Sequence, residues 1–540
     1  MKILPTKKAA RQNGFGRFTP WLAVLVVVLF TGFIRVRLLE VPLERDEGEY
    51  AYAGQLILQG IPPYQIAYNM KLPGTYLAYA AGMALFGQNI AGIHLTLLVV
   101  NSLTCIFLFL LARKLSGVTT GWIACVSYAL MSMSPAVFGL AAHATQFVVL
   151  FAVPGILLLL KANETGNWKT LFGGGLLLGL AFLMKQPGIC FGIFGLVFLA
   201  WEAARKGEFF SKRFAGKLLA FGTGLILPYG LACLWLAAAG VFGQFWFWTS
   251  DYAANYATGN SLVWGIHALA ATVSTLFPVY AGFWILAAVG VPLAMRDKEK
   301  RRKLAFALAL LFFSFLGTTP GFYFRAHYFV LVLPAFAIVL GLAMESLQMF
   351  CARWRMQFVP LVLLGILLGW NTYQQRWVFF KLIPSQVVQA VYPHNPFGES
   401  LVVARYIREH TKPEARIAVL GSEPQLYFYA NRHSATGYIY TYPLMEPQPY
   451  ASEMQQKMIK EIEAAKPEFI VYVKNDYSWV KYKTSDLAIF HWAGQYTSRF
   501  YELVGVVGQR PNGQYVTSMS DFGDSIEEYT ALFQLKSDVN

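Results

Sequence analysis

WLAVLVVVLFTGFIRVRLLEVPLERDEGEY, residues 21–50, sets a long apolar run directly against an acidic one. Roughly 20 apolar residues in a helix cross a hydrocarbon core of about 30 Å, so the run from Trp21 reads as a membrane span that ends at Ile34, Arg35, Val36 and Arg37. Glu40, Glu44, Asp46, Glu47 and Glu49 follow within ten residues, and they are five of only twelve acidic residues in positions 1–373. Charge at a bilayer surface is costly unless water, a partner or a function keeps it there, which makes this cluster the first candidate site.

Composition extends that reading to the whole chain. With 56% hydrophobic residues, 16% aromatics and 14% charged residues, 540 residues are far too apolar for a soluble enzyme and fit a polytopic α-helical membrane protein. About eleven spans are expected: the one from Trp21, then approximately 91–111, 118–137, 144–160, 170–184, 187–203, 217–239, 268–294, 304–319, 328–345 and 357–373. The first run lacks a small-residue cleavage site and reads as an uncleaved span.

Basic residues give the expected orientation, because short cytoplasmic loops carry the excess of Lys and Arg. Every second connection is basic: the N-terminal arm, Arg113/Lys114, Lys161/Lys169, Arg205 to Lys217, the run RDKEKRRK from Arg296 to Lys303, and Arg353/Arg355. The N-terminus is therefore expected inside the cell, and the acidic cluster and everything after about 374 outside it. The formal net charge of +15 needs no nucleic-acid partner, since positions 1–373 hold 28 basic and 12 acidic residues and the tail is close to balance. The surplus is a topology signal that also suits anionic membrane lipids.

Residues 1–373 thus form the expected membrane domain, and 374–540 read as a separate extracytoplasmic α/β domain. Helical periods near Ser400–His410 and 452–465 alternate with strand-like segments at Arg416–Leu420 and 469–473, which favours a mixed or parallel sheet. All five cysteines lie in or near spans, so no disulfide is expected in the tail and no zinc-ligand cysteine pattern exists.

The first outer loop, residues 38–90, reads as two short helices resting on the membrane surface. Glu47 to Leu58 is amphipathic, with Tyr50 and Leu58 on its apolar face. A second segment starts at Lys71-Leu-Pro73 and runs past Tyr76 to Phe86. Between them lies the Pro- and Tyr-rich turn GIPPYQIAYNM.

On these residues the chain resembles the membrane glycosyltransferases of the C-type fold (GT-C), particularly the protein O-mannosyltransferases and the lipid A aminoarabinose transferases. Asp46-Glu47 just after the first span, the surface helix, Lys71-x-Pro73 with Tyr76, and Leu85-Phe86-Gly87 before the second span carry the resemblance. It implies transfer of a sugar from a polyprenyl phosphate to an acceptor outside the cytoplasm, with the first-loop Asp as base. Two departures stand out. Relatives often read Lys-Pro-Pro where this chain has Lys71-Leu72-Pro73, and many carry an acid in the second outer loop, here Ala142-His143-Ala144-Thr145-Gln146.

The same chemistry follows from physical needs. A sugar donor outside the cytoplasm must arrive on a lipid, so its phosphate sits at the outer interface. An attacking hydroxyl needs a general base within hydrogen-bond reach, for which Asp46 is the candidate with Glu47 as helper. The departing phosphate gains charge that fixed cations stabilise, and Arg45, Lys71, Lys185 and Arg325 are the cations available there. Tyr50, Tyr76, His143, His327 and Tyr328 are expected to line the substrate pocket, and Glu44 and Glu49 to be solvated. No cofactor is signalled, apart from a divalent metal as a candidate at His143, His267 and His327, although interfacial histidines are more often satisfied by water or backbone. The aromatic loop FWFWTSDYAANY, residues 245–256, reads as an interface belt in which Asp251 or Tyr252 is a secondary substrate candidate. The acceptor class, whether lipid, glycan or protein, is not encoded in any motif. Two other classes are weighed. A transporter or lipid-linked sugar flippase needs inverted repeats or midplane charge, which are not seen. A non-catalytic envelope-assembly protein needs fewer spans.

Overall fold

The computed structural model describes residues 14–509, 515–516 and 528–537; the charges of the N-terminal arm, used above for orientation, lie outside the residues whose side chains are described. Among the described residues, seven helices are long and apolar enough to cross a membrane: Pro20–Arg37 within helix α1 (Gly14–Arg37), Ile90–Ser116, Ala144–Thr165, Gln186–Arg205, Lys212–Ala238, Leu262–Arg296 and Leu333–Ala352. Val118–Met131, Trp168–Met184 and Val359–Gln374 are apolar but shorter. The expected span 304–319 falls in the Lys298–Leu316 helix, whose opening turns carry the basic run.

The short helices bear on the site. At 1.5 Å per residue, the 14 residues of Val118–Met131 rise only about 21 Å. This helix gives way to the irregular stretch that leads to His143, and Trp168–Met184 stops at the turn that holds Lys185. Irregular backbone at such depth is tolerated only where protein covers it. Elsewhere the bundle shows apolar side chains outward, with Ile226, Leu234, Ile285 and Ile366 each about three-fifths exposed, as lipid contact requires.

Two helices of the first loop follow α1: α2 (Arg45–Leu58) and α3 (Pro73–Phe86). Helix α2 begins with a reciprocal cap. The Glu44 carboxylate accepts from the Glu47 backbone N–H at 2.9 Å, and the Glu47 carboxylate accepts from the Glu44 N–H at 3.3 Å. The expectation that α2 rests on the membrane surface is corrected, since eleven of its fourteen residues are buried. The tyrosines on its other face offer a second apolar surface, and the C-terminal domain packs there.

That domain is built on a six-stranded sheet. Its strands are β1 (Arg416–Leu420), β2 (His433–Ser434), β3 (Phe469–Lys474), β4 (Tyr501–Gln509), β5 (Tyr515–Val516) and β6 (Tyr529–Leu535), in spatial order β2-β1-β3-β6-β4-β5. β1 pairs in parallel with β2 and β3, and the remaining pairs are antiparallel, so the sheet is mixed.

Docking of this domain on α2 is close. Tyr52 stacks on Tyr427 with centroids 5.1 Å apart and accepts from the Ser434 N–H at 2.8 Å, while Tyr429 accepts from the Leu43 N–H at 2.8 Å. A Cβ on Gly48 would lie 2.6 Å from Gln425, so only glycine permits this approach. Arg45 reaches across the seam to the Glu423 carboxylate, the Ser422 carbonyl and Asn395. The Glu423 side chain is 0% exposed. Removing one partner of a buried pair strands the other charge, at a cost of about 3–5 kcal/mol. Glu423→Ala is therefore expected to lower the thermal unfolding temperature in detergent markedly, and a paired Arg45→Leu/Glu423→Leu exchange to lower it less.

Candidate active site

Asp46 sits in the first turn of α2, two residues past the capping Glu44, so its carboxylate is free of capping duty. Its Oδ1 accepts from Lys71 Nζ at 2.7 Å and from the Tyr440 hydroxyl at 2.9 Å. Oδ2 is left toward His143, whose Nδ1 lies 3.8 Å away. Lys71 is brought in by the start of α3, which is locked to the next layer by the Thr75 hydroxyl donating to the Met184 carbonyl at 2.7 Å. Its ammonium also donates to Glu49 Oε2 at 2.7 Å, and Tyr76 donates to Glu49 Oε1 at 2.5 Å. The Tyr50 ring completes the enclosure, with its centroid 4.6 Å from Nζ.

These contacts sort the acidic cluster electrostatically. Burial opposes ionisation of Asp46, but the Lys71 ammonium holds its carboxyl well below the usual carboxylate range. Burial and the neighbouring charges of Asp46 and Glu47 push Glu44 well up. The cluster's negative charge thus resides on Asp46 and Glu47 rather than on Glu44. Glu47 takes a structural role: it accepts from the Ala142 N–H at 2.6 Å and meets His94 Nε2 at 3.2 Å.

A cavity of ≈ 350 Å³ opens beside Asp46. Lys71, Lys185, Arg325, His327 and Tyr328 line it together with Tyr252, Tyr440, Tyr442 and Glu446. Lys185 stands 4.1 Å from the Tyr328 ring centroid and Arg325 stands 5.5 Å from that of Tyr323. Neither cation forms an ion pair with a carboxylate among the described residues. Burial, with Lys71 and Arg325 nearby, pushes the Lys185 amine down to about 7.

His143 and His327 stack with centroids 4.2 Å apart and planes 11° apart. Both ring nitrogens of His143 are buried without a hydrogen-bond partner. Burial pushes this imidazole down to about 4, so it is neutral and its lone pair available. Ligand atoms of Asp46, His143 and His327 lie within 4.8 Å of one another, which suits a divalent cation. His267, expected in that set, is exposed and apart from it.

Several expectations are corrected. Glu44 and Glu49 are buried rather than solvated, at 7% and 0% exposed. Arg45 is consumed by Glu423 and the domain seam and does not line the cavity. Tyr50 and Tyr76 back the Lys71 network instead of lining the pocket, and His143 stands behind its wall. Asp251 is exposed and outside the lining, whereas its neighbour Tyr252 belongs to it. Tyr440, Tyr442 and Glu446 escaped notice because they lie about 400 residues from Asp46. The alternation of Tyr438, Tyr440 and Tyr442 in TGYIYTYP was the available signal, since an extended chain turns every second side chain to one face.

This arrangement, a bundle of membrane helices with a first-loop aspartate under a C-terminal domain, is the C-type fold known from membrane glycosyltransferases (GT-C), and comparison with known proteins agrees. The family model for dolichyl-phosphate-mannose-protein mannosyltransferases matches residues 71–231. The undecaprenyl phosphate-alpha-4-amino-4-deoxy-L-arabinose arabinosyl transferase of Pseudomonas aeruginosa is 28% identical over 218 residues, a match that spans 38% of this chain and 38% of that protein. Among solved structures, ArnT from Cupriavidus metallidurans bound to undecaprenyl phosphate is similar with TM-score 0.59 and 14% identity, covering 96% of this chain and 99% of that one. The Archaeoglobus fulgidus oligosaccharyltransferase tethered to an acceptor peptide gives TM-score 0.55 at 13% identity, over 95% of this chain and 76% of that one. The mycobacterial arabinofuranosyltransferase AftD gives TM-score 0.51 at 14% identity, over 96% of this chain and 40% of that one. At such identities the structural likeness concerns the fold.

Lys71→Met is expected to cost about 3–5 kcal/mol of stability, because it strands Glu49 and Asp46 in a low-dielectric setting. Adding Glu49→Gln should restore part of the loss, and thermal melting of the two variants side by side checks it.

Proposed function

We propose that the protein transfers a sugar from a polyprenyl-phosphate-linked donor to an acceptor hydroxyl on a lipid, glycan or protein, at the outer face of a bacterial inner membrane. One observation carries this reading. Lys185 and Arg325 face a cavity as cations without a carboxylate partner among the described residues. Charges so placed call for an anionic ligand, and a lipid phosphate at membrane depth supplies one. The basic loops support a cytoplasmic N-terminus and an exported C-terminal domain.

In this reading the acceptor hydroxyl gives its proton to Asp46 Oδ2 as its oxygen attacks the anomeric carbon. The bond from that carbon to the phosphate oxygen breaks, and its electron pair leaves with the lipid phosphate toward Lys185 and Arg325. Tyr440 and Lys71 hold Oδ1, which aims Oδ2. A carboxylate depressed so far by Lys71 is a weak base on its own. A phosphate drawn in beside Lys71 shares that positive charge and returns basicity to Asp46 when the donor is bound. Asp46, His143 and His327 are the residues that would hold a divalent cation, which would supply electrophilic stabilisation of phosphate charge.

Asp46→Asn is expected to lower transfer from a polyprenyl-phosphate sugar in proteoliposomes by about 10²–10⁴-fold, as loss of a general base does. Full retained transfer overturns the assignment of the base, and lipid transport without transfer overturns the enzyme reading. Donor affinity should also depend on pH through Lys185. With the amine at about 7 in the free protein, binding an anion raises it. Affinity should be flat below pH 7, then fall by up to about tenfold per pH unit above it, until the raised value is reached. Lys185→Arg should flatten that decline in a binding titration with a sugar phosphodiester, which does not itself titrate in this range.

A further inference from the structure

Besides Asp46, the cavity wall has one other carboxylate among the described residues, Glu446, and nothing in the transfer chemistry above uses it. It comes from the exported domain, immediately after the short Tyr442–Met445 helix. Its backbone is pinned on both sides: its N–H donates to the Tyr442 carbonyl at 3.0 Å, and its carbonyl accepts from the Gln448 N–H at 2.8 Å. The Tyr252 hydroxyl, from the short helical segment before the Leu262–Arg296 helix, donates to Oε2. No described residue donates to Oε1.

A carboxylate oxygen held at a cavity wall without a donor selects for a ligand that brings O–H or N–H groups. A lipid phosphodiester brings none, because its oxygens accept and its isoprenoid chain is apolar. Within a sugar-phosphate donor, the donors are therefore on the monosaccharide. At ≈ 350 Å³ the cavity lies at the small end of ligand pockets, about 300–1,000 Å³, with room for a monosaccharide phosphate. Burial pushes the Glu446 carboxyl up against the smaller downward pull of Tyr252 and of Arg325, which lines the same cavity but makes no ion pair with it among the described residues, so Oε1 is left without a donor.

We propose that Glu446 reads the donor sugar: Oε1 accepts a hydrogen bond from a ring hydroxyl or ring amino group, with Tyr252 fixing the carboxylate's orientation. This rests on the lipid-linked donor reading and deepens it. The exported domain then selects which sugar is transferred, whereas the membrane domain holds the lipid phosphate common to all donors.

Binding measured in nanodiscs separates the two recognition elements. The probes are bare undecaprenyl phosphate and the same carrier bearing glucose, mannose, galactose, arabinose or 4-amino-4-deoxy-arabinose. Wild type is expected to bind at least one sugar-bearing carrier more tightly than the bare one. Glu446→Ala should lower affinity for that carrier about 10- to 100-fold, and leave bare undecaprenyl phosphate within about twofold. Glu446→Gln, which keeps an acceptor oxygen, should lose less. Tyr252→Phe, which leaves Glu446 in place, should lose about 3- to 10-fold and only with the sugar-bearing carrier. Equal losses on bare and sugar-bearing carriers, no loss on either, or a wild type that does not distinguish them overturns the role of Glu446. A wild type that fails to bind bare undecaprenyl phosphate overturns the donor reading itself.

Discussion

Lys71 stands between the buried carboxylate of Glu49 and the half-buried one of Asp46, 2.7 Å from each, and the organisation around the cavity depends on that contact. Glu49 is sealed from solvent, so without the ammonium its charge would be prohibitive there. With it, α2 and α3 can stay closed on each other while Asp46 remains ionised at the cavity edge. The same ammonium that stabilises the pair also holds the Asp46 carboxyl well below the usual carboxylate range. Lys185 and Arg325 line the same cavity, and neither forms an ion pair with a carboxylate among the described residues.

Enclosure comes from three layers that meet at α2. Membrane helices end short at the turns near His143 and Lys185, which makes space at depth. The first loop lays Asp46 and Lys71 across that space. Above it, the C-terminal domain presses in through Gly48, Tyr52 and the Arg45–Glu423 pair, and sends Tyr440 to the Asp46 carboxylate. Glycine recurs at the closest approach on the domain's side, where a Cβ on Gly437 would lie 2.1 Å from the Tyr68 ring. Exclusion of water from this seam raises the strength of every polar contact inside it, which is how a few side chains order so large an interface.

Legibility in the sequence followed the range of the interactions. Strand β1 and the helices around 400–410 and 452–465 were readable, because hydrophobic period is local and survives one strand or a few turns. The antiparallel strands β4 to β6 were not, since their pairings join segments that nothing local connects. Charge was misread in the same way. Glu44 and Glu49 looked like solvated groups and Arg45 like a phosphate-binding cation, because their partners, the α2 cap, Lys71 with Tyr76, and Glu423, are set by cap geometry and by chain folding rather than by neighbourhood in the sequence.

By itself the sequence determined that this is a polytopic membrane protein with an acidic first loop, and that Asp46, Lys71, Lys185 and Arg325 are the charges to watch. Transfer free energies of apolar runs and of charges near a bilayer are large and additive along the chain, so composition reveals them. Tertiary structure alone decided which of those charges neutralise one another and which face the cavity, and that Tyr440 and Glu446 of a separate domain complete its wall. Such outcomes depend on distances of a few ångströms between residues hundreds of positions apart, and only a folded chain defines them.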